Sequence, residues 1–264
     1  MTLLKKKMKK NKCWVVKIGS ALLTNNGKGI DKNLISEWVE QIVELQSHNI
    51  DVVLVSSGSI VEGMKRLGWK DKPSDIHKLQ AAAAVGQMGL VQAYEYLFAK
   101  HNVQTAQVLL TQDNLINTKH FENISATLDN LLKFGAVPVI NENDTVATEE
   151  IKFGDNDTLA ALVANLLGAE RLIILTDQHG VFDDDPRLNK DASLIKEIHF
   201  DDEKLERVAG KTGGILGSGG MYSKVMAAKQ AAKSKTFSNI AWGREDKVLT
   251  RIHQGEHIGT LVHC

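Results

Sequence analysis

Short runs of apolar, often β-branched residues alternate along this chain with longer stretches of helical character. A strand is apolar along its whole length when helices cover both faces of a parallel sheet. The alternation therefore predicts an α/β fold built from strand–helix–strand units. The predicted strands are Trp14–Ile18, Val52–Val55, Val103–Leu110, Ala136–Ile140, Leu172–Leu175 and Thr236–Trp242. The predicted helices are Lys32–His48, Ala81–Lys100, Asn114–Phe134, Thr158–Leu167 and Ser223–Ser234.

Composition narrows the possible partners and the compartment. The 264 residues carry 32 basic and 32 acidic side chains, a balance that argues against a nucleic-acid-binding surface. Residues 1–12 are predicted to form a basic, flexible tail, and residues 13–264 a single domain. The tail is followed by too few apolar residues for a signal peptide or a membrane span. Cys13 and Cys264 form no disulfide framework, which fits a cytoplasmic protein.

Two loops after predicted strands have the features of phosphate or anion sites. Ligands of such sheets bind where strands end and helices begin. In VVKIGS, Lys17 supplies a charge and Gly19 lets backbone N–H groups approach a phosphate. In VSSGSI, hydroxyls including that of Ser57 precede a helical segment. The alternatives are an ordinary glycine turn in the first loop and a serine helix cap in the second.

Two further loops concentrate carboxylates and amides. VINENDTV places Asn141-Glu142-Asn143-Asp144 directly after a strand, which suggests recognition of an amine or a hydroxyl. FGDND opens the helix predicted from Thr158 with two aspartates and Asn156. Acidic residues also suit a helix N-terminus on structural grounds alone. The surplus of polar groups favours binding of a substrate amine or indirect support of Mg²⁺.

The last pair of loops lies in the C-terminal half. LTDQHGVF places Thr176 and Asp177 at the end of a strand. GSGGMYSK is rich in glycine and ends in Lys224 at a predicted helix start, although it lacks the spacing of a P-loop. A flexible surface loop is the alternative. The helix dipole disfavours a cation at that end unless an anion is nearby, so the lysine favours an anion site.

Taken together and in this order, these motifs resemble the amino acid kinase superfamily. The resemblance covers about Lys12 to Val262 and includes LQAAAAVGQ (Leu79–Gln87). It is most specific in VINENDTV followed by FGDND, which resemble the members that phosphorylate free glutamate. Ser218 and Tyr222 stand where those members are expected to have threonine and serine. The chain is also expected to lack the C-terminal PUA domain that many of them carry.

The resemblance implies a three-layer αβα sandwich around a mainly parallel, eight-stranded sheet. It implies that Lys17, Lys224 and Asp157 serve catalysis, with Asp157 helping to orient the lysines and to position the metal. It further implies that Ser57, Asp144 and Asn156 bind glutamate. The ATP-binding residues implied are Lys17, Thr176, Asp177, Ser218, Gly219, Gly220, Met221, Tyr222, Ser223 and Lys224.

The implied reaction transfers a phosphoryl group from ATP to the γ-carboxylate of L-glutamate, the first step of proline synthesis. Mg²⁺ is expected to travel with ATP, without a metal site made directly by protein side chains. Further implications are feedback inhibition by proline, a homo-oligomer and coupling to glutamate-5-semialdehyde dehydrogenase. Acetylglutamate, aspartate or carbamate as the acceptor remains open, as does a non-catalytic nucleotide-binding module on the same fold.

Overall fold

The computed structural model describes residues 11–25, 29–116, 118–147, 156–211 and 220–264. Within these ranges the chain forms eight strands, including all six that the sequence predicts. They are β1 (Lys12–Ile18), β2 (Ile50–Val55), β3 (Thr105–Leu110), β4 (Val137–Glu142), β5 (Arg171–Thr176), β6 (Glu197–His199), β7 (Phe237–Trp242) and β8 (Thr260–His263).

The described residues also form ten helices, which connect and cover the strands. In the first half of the chain these are α1 (Ser20–Leu23), α2 (Lys32–Ser47), α3 (Ser59–Arg66), α4 (Ile76–Ala99), α5 (Gln112–Ile116) and α6 (Thr118–Lys133). In the second half they are α7 (Asp157–Leu167), α8 (Glu203–Lys211), α9 (Met221–Ala232) and α10 (Val248–His253). None of the helices in the described part of the chain is long and apolar enough to cross a bilayer.

All eight strands belong to one sheet, in the order β3-β4-β2-β1-β5-β7-β8-β6. Every neighbouring pair is parallel except β7 and β8, which are antiparallel. The predicted mainly parallel, eight-stranded sheet is therefore confirmed. Strands β2, β3 and β4 lie on one side of β1, and strands β5 to β8 lie on its other side. This switch point is where ligands of open α/β sheets bind.

Two apolar layers, one on each face of the sheet, form the core. Alternate residues of β1 and β2 point into opposite layers: Val15 and Val53 into one, Val16 and Leu54 into the other. Helices α7 and α9 cover the first face, and α2 and α4 supply much of the second. The three-layer αβα arrangement is thus also confirmed.

The differences from the sequence prediction are local. Helix α4 begins at Ile76 and not at Ala81, because the Asp75 carboxylate accepts hydrogen bonds from the backbone N–H groups of His77 and Lys78. Helices α5 and α6 lie where one helix, Asn114–Phe134, is predicted, and residue 117 between them lies outside the described residues. Strands β6 and β8 were not predicted, since they have only three and four residues.

Candidate active site

The carboxyl ends of the central strands meet at one edge of the sheet. Ile18 at the end of β1 pairs with Leu175 of β5, and Lys17 pairs with Val55 at the end of β2. On the far side of β2, Val55 pairs with Ile140 of β4. The loops that follow these strands are therefore neighbours, although they are far apart in the sequence.

Three buried charged residues form a cluster at this edge, called here the lysine–aspartate cluster. Lys17 Nζ pairs with Asp157 Oδ1, and Lys224 Nζ lies 3.2 Å from Asp157 Oδ2. Lys17 is 3% exposed, Lys224 5% and Asp157 0%. One carboxylate thus neutralises part of the charge of two buried ammonium groups. Two ammonium groups and one carboxylate give these three side chains a formal positive charge, which can attract an anion.

The start of α9 holds one of these lysines in place. Gly220 is the N-cap residue of α9, and its carbonyl oxygen lies 3.4 Å from Lys224 Nζ. Ser223 Oγ lies 2.9 Å from Asp157 Oδ2 and 2.8 Å from the same carbonyl oxygen. The positive end of the helix dipole disfavours Lys224 at this position, and Asp157 compensates for that cost.

A cavity of about 110 Å³ opens beside the cluster, between the ends of β2 and β4. It is called here the acceptor cavity. Its walls combine hydroxyl, amide and carboxylate groups with a few apolar side chains and one lysine. The lining residues are Ser20, Ser57, Gly58, Ser59, Ile60, Val61, Met64, Lys72, Asn141, Glu142, Asp144 and Asn156.

In the acceptor cavity, the Asp144 carboxylate accepts a hydrogen bond from a neighbouring hydroxyl group. Its Oδ2 atom accepts a hydrogen bond of 2.9 Å from Ser59 Oγ. Burial raises the pKa of Asp144 above its usual value, and the bond from Ser59 offsets only part of this rise. A cationic ligand beside Asp144 would stabilise the ionised carboxylate, so the site favours an ammonium group.

The N-terminus of α3 forms another wall. Its N-cap residue Gly58 has φ +92°, a left-handed conformation that residues with a side chain rarely adopt. Ser57 Oγ is buried and has no hydrogen-bond partner among the described residues. Free N–H groups at a helix start and an unpaired hydroxyl together make this wall suitable for an anionic ligand group.

A chain of amide side chains lies beneath the acceptor cavity. Asn156 Nδ2 donates to the Ser56 carbonyl oxygen and, over 2.6 Å, to Asn141 Oδ1. Asn141 Nδ2 donates in turn to Gln87 Oε1 over 2.7 Å. Ser56 Oγ shares a hydrogen bond of 3.2 Å with Tyr94. This network is called here the amide relay.

On the other side of β1, the predicted ATP-binding residues that the structure describes, apart from Lys17 of β1, lie at the end of β5 and at the start of α9. Thr176 is the last residue of β5, and its Oγ1 atom donates to Asp177 Oδ1 over 3.1 Å. Met221, Tyr222 and Ser223 occupy the first turn of α9, where Tyr222 is exposed. Ser218 and Gly219, also predicted for this site, lie outside the described residues.

Two aromatic rings lie near Thr176, and the sequence analysis assigned neither of them to a binding site. Thr176 is the register partner of Trp242, the last residue of β7. The rings of Trp242 and His179 lie 4.7 Å apart, centroid to centroid.

The structure brings the predicted catalytic residues together in one cluster and the predicted substrate-binding residues Ser57, Asp144 and Asn156 into one cavity. Sequence reasoning did not assign roles to Ser59, Lys72 or Gln87, nor individual ones to Asn141 and Glu142. The sequence could have indicated Asn141 and Glu142, since they belong to the same run of polar residues as Asp144. Glu142 and Asp144 also border a second cavity of about 220 Å³.

Comparison with known proteins defines the class. A family model described as "Amino acid kinase family" matches residues 12–239, and the chain therefore belongs to the amino acid kinase family. Among solved structures, a UMP kinase from Bacillus anthracis has the same fold. The match has a TM-score of 0.66 at 15% sequence identity and covers 97% of both chains.

The chain is also similar in sequence to curated proteins of one enzyme type. The chain is 58% identical to the glutamate 5-kinase of Hydrogenovibrio crunogenus over 253 residues, which cover 96% of this chain and 67% of that protein. It is also 58% identical to the glutamate 5-kinase of Pseudomonas aeruginosa strain PAO1, over 94% of this chain and 67% of that protein.

Proposed function

We propose that this protein transfers the γ-phosphoryl group of ATP to the γ-carboxylate of L-glutamate and forms L-glutamyl 5-phosphate. One observation carries the proposal: the acceptor cavity and the lysine–aspartate cluster meet at the start of α7. Asn156, the N-cap residue of α7, lines the cavity, and the next residue, Asp157, binds both lysines. The 58% identity to glutamate 5-kinases supports glutamate as the acceptor.

The acceptor needs no general base. A glutamate side chain has an unperturbed pKa of about 4.3, so its γ-carboxylate is ionised at pH 7. A carboxylate oxygen forms the new bond to the γ-phosphorus, the bond from that phosphorus to the β–γ bridging oxygen breaks, and ADP leaves. No proton is transferred in this step, so the cluster can consist of lysines and an aspartate.

The barrier that the protein has to lower is electrostatic. Two unit negative charges about 4 Å apart repel each other by about 4 kcal/mol at an effective dielectric constant of 20. Lys17 and Lys224 offset this repulsion and stabilise the transferring phosphoryl group. Asp157 keeps both ammonium groups at fixed positions, so little reorganisation is needed during the transfer.

Mg²⁺ fits this site as a companion of ATP. Asp157, the carboxylate at the cluster, already binds two lysines. We therefore assign Mg²⁺ mainly to the phosphate oxygens of ATP, where it supplies further positive charge when bound.

Free glutamate suits the acceptor cavity better than an N-acylated acceptor. Asp144 and the amide oxygen of Asn156 can accept hydrogen bonds from an α-ammonium group. An N-acetyl group carries no charge there and would leave the partly buried Asp144 carboxylate without a cationic partner, with only the hydrogen bond from Ser59, which is costly. The acceptor cavity is thus selective for glutamate over acetylglutamate, because only glutamate carries a charged α-ammonium group.

The product also has consequences for the protein's partners. An acyl phosphate hydrolyses readily, so we propose that glutamate-5-semialdehyde dehydrogenase consumes it in the cytoplasm, as the next step toward proline. We also propose that the protein forms a homo-oligomer and that proline inhibits it.

The test is an assay of ADP release with Mg-ATP and, separately, glutamate, aspartate, acetylglutamate or carbamate. Hydroxylamine in a parallel sample traps an acyl phosphate as its hydroxamate. We expect ADP and glutamyl hydroxamate in a 1:1 ratio, with glutamate as the best acceptor. ADP release without hydroxamate would exclude carboxylate phosphorylation, and a catalytically inert protein that still binds nucleotide would support the non-catalytic alternative.

A further inference from the structure

The LQAAAAVGQ segment of α4 has no role in the function proposed above, yet it is packed tightly beneath the acceptor cavity. A Cβ atom at Gly86 would lie 1.8 Å from the carbonyl oxygen of Ser59, and one at Gly63 would lie 1.7 Å from that of Ala82. Helices α3 and α4 therefore approach each other more closely than side chains allow. This contact places Gln87, which is only 8% exposed, next to Asn141.

The direction of each hydrogen bond between the amide side chains of the relay is fixed by backbone groups. The Glu142 backbone N–H can only donate, and it donates to Asn141 Oδ1 over 2.9 Å. The Ser56 carbonyl oxygen can only accept, and it accepts from Asn156 Nδ2. Asn141 must therefore turn its Nδ2 atom toward Gln87, whose Oε1 atom accepts the bond.

The relay also determines what Asn156 offers to a ligand. Both of its amide hydrogens are used, one by Ser56 and the other by Asn141. Its Oδ1 atom accepts no hydrogen bond from the described residues, and Asn156 lines the acceptor cavity. Asn156 thus presents an acceptor to the cavity, which is the polarity that an ammonium group requires.

We propose that Gln87 is a positioning residue for substrate binding: its amide oxygen holds Asn141, and Asn141 holds Asn156 with its oxygen toward the substrate ammonium group. This inference rests on the proposed function for the identity of the substrate. Gln87 itself does not line the acceptor cavity. It borders the second cavity, and its effect on the substrate passes through Asn141, which is 1% exposed.

Gln87→Met tests the role because it keeps the length of the side chain and removes the acceptor. Asn141 Nδ2 is then buried without a partner, and its amide is free to turn. We expect the Kd of glutamate, measured by calorimetry, to rise by roughly 5- to 100-fold. The Kd of ATP should change by less than about threefold, since the relay does not reach the nucleotide side.

The matched control is Leu90→Val, a change in the same helix that loosens the core without touching the relay. Both variants should lower the thermal midpoint, yet only Gln87→Met should weaken glutamate binding. A glutamate Kd for Gln87→Met within twofold of wild type, or an equal loss in Leu90→Val, would overturn the assignment.

A double-mutant cycle shows whether Gln87 acts through Asn141. In an Asn141→Ala background we expect Gln87→Met to change the glutamate Kd by less than about twofold, because the residue it positions is gone. Two effects that multiply independently would contradict the relay. The proposed function can fail independently of this role for Gln87. The wild-type acceptor assay tests the function, whereas the ratio of glutamate Kd values between variants tests Gln87.

Discussion

At the scale of single residues, Asp144 combines a cost in stability with a gain in binding. Its pKa is raised in the folded protein because burial disfavours the charged form. Protonation therefore favours the folded state, and the cost of the charge grows as the pH rises through the folded pKa. Below the pKa of the unfolded chain the cost is absent. Natural binding sites often contain residues that lower the stability of the fold but are needed to bind the ligand.

Asp144→Asn should therefore stabilise the free protein and weaken substrate binding. Asparagine can still accept the bond from Ser59 but carries no charge to desolvate. We expect a higher thermal midpoint at pH 7, a gain that shrinks toward pH 3, and a loss of about 1.5–3 kcal/mol in glutamate binding. Thermal scans across pH and calorimetry measure these effects.

The control for that experiment is Asp191→Asn, because Asp191 is exposed and lies in a separate loop. It should leave both the thermal midpoint and glutamate binding unchanged. A loss of ATP affinity in Asp144→Asn as large as the loss of glutamate affinity would show that Asp144 does not belong to the acceptor cavity.

The two clustered lysines should act on the transition state more than on substrate binding. Lys17→Met and Lys224→Met keep the side-chain stem but remove a charge next to the transferring phosphoryl group. We expect each to lower kcat on the order of 100-fold or more, with a smaller change in the KM of glutamate. Steady-state kinetics of folded variants measure this split.

Lys233→Met is the matched control, since Lys233 is an exposed lysine that follows α9. It should retain the activity of the wild type. If either cluster variant kept near-wild-type kcat, that lysine would have no part in the phosphoryl transfer.

At the scale of elements, the contact between α3 and α4 determines the shape of the acceptor cavity. Gly86→Ala should force the two helices apart, because the added Cβ atom meets backbone and not a flexible side chain. We expect a destabilisation of about 1–3 kcal/mol and weaker glutamate binding, measured by denaturant unfolding and calorimetry.

Gly210→Ala is the corresponding control in helix α8, where an added Cβ meets none of the described atoms within 4 Å. It should be neutral or stabilise the protein by up to about 1 kcal/mol, because alanine favours a helix. Equal effects of the two changes would mean that the loss arises from helix propensity and not from the α3–α4 contact.

The same elements show what the sequence could predict. Strands β1, β2, β4 and β5 are apolar because both of their faces are buried, and the polar residues that follow them mark the site. Strands β6 and β8 have too few residues for a periodic signal. The relay partner Gln87 could not be predicted, since its position depends on how α3 packs against α4.

At the scale of the whole molecule, β1 separates the two regions proposed to bind the substrates. The acceptor cavity lies on the β2 and β4 side, and the predicted ATP-binding residues lie on the β5 side. Lys17 of β1 and Lys224 of α9 meet at Asp157 between the two regions. The phosphoryl group therefore has to cross only the edge of β1, which fits direct transfer between bound substrates.

This division predicts how proline would inhibit the protein if it binds as proposed above. Proline has an α-carboxylate and a cationic nitrogen but no side-chain carboxylate, so it can occupy the Ser57, Asp144 and Asn156 region without being phosphorylated. We expect millimolar proline to raise the apparent KM of glutamate without lowering kcat, in initial rates at several glutamate concentrations. Asp144→Asn should weaken both ligands together. Inhibition that persists at saturating glutamate would exclude a shared site.

The most direct test of the account is the ratio of kcat/KM for glutamate to that for N-acetylglutamate, in the wild type and in Asp144→Asn. Loss of one charge-assisted contact costs about 1.5–3 kcal/mol, or roughly 10- to 150-fold. We therefore predict a wild-type ratio well above 100 and a ratio reduced by about that factor in Asp144→Asn. A wild type that uses N-acetylglutamate as well as glutamate, or a ratio that Asp144→Asn leaves unchanged, would contradict the assignment of this cavity to a free amino acid.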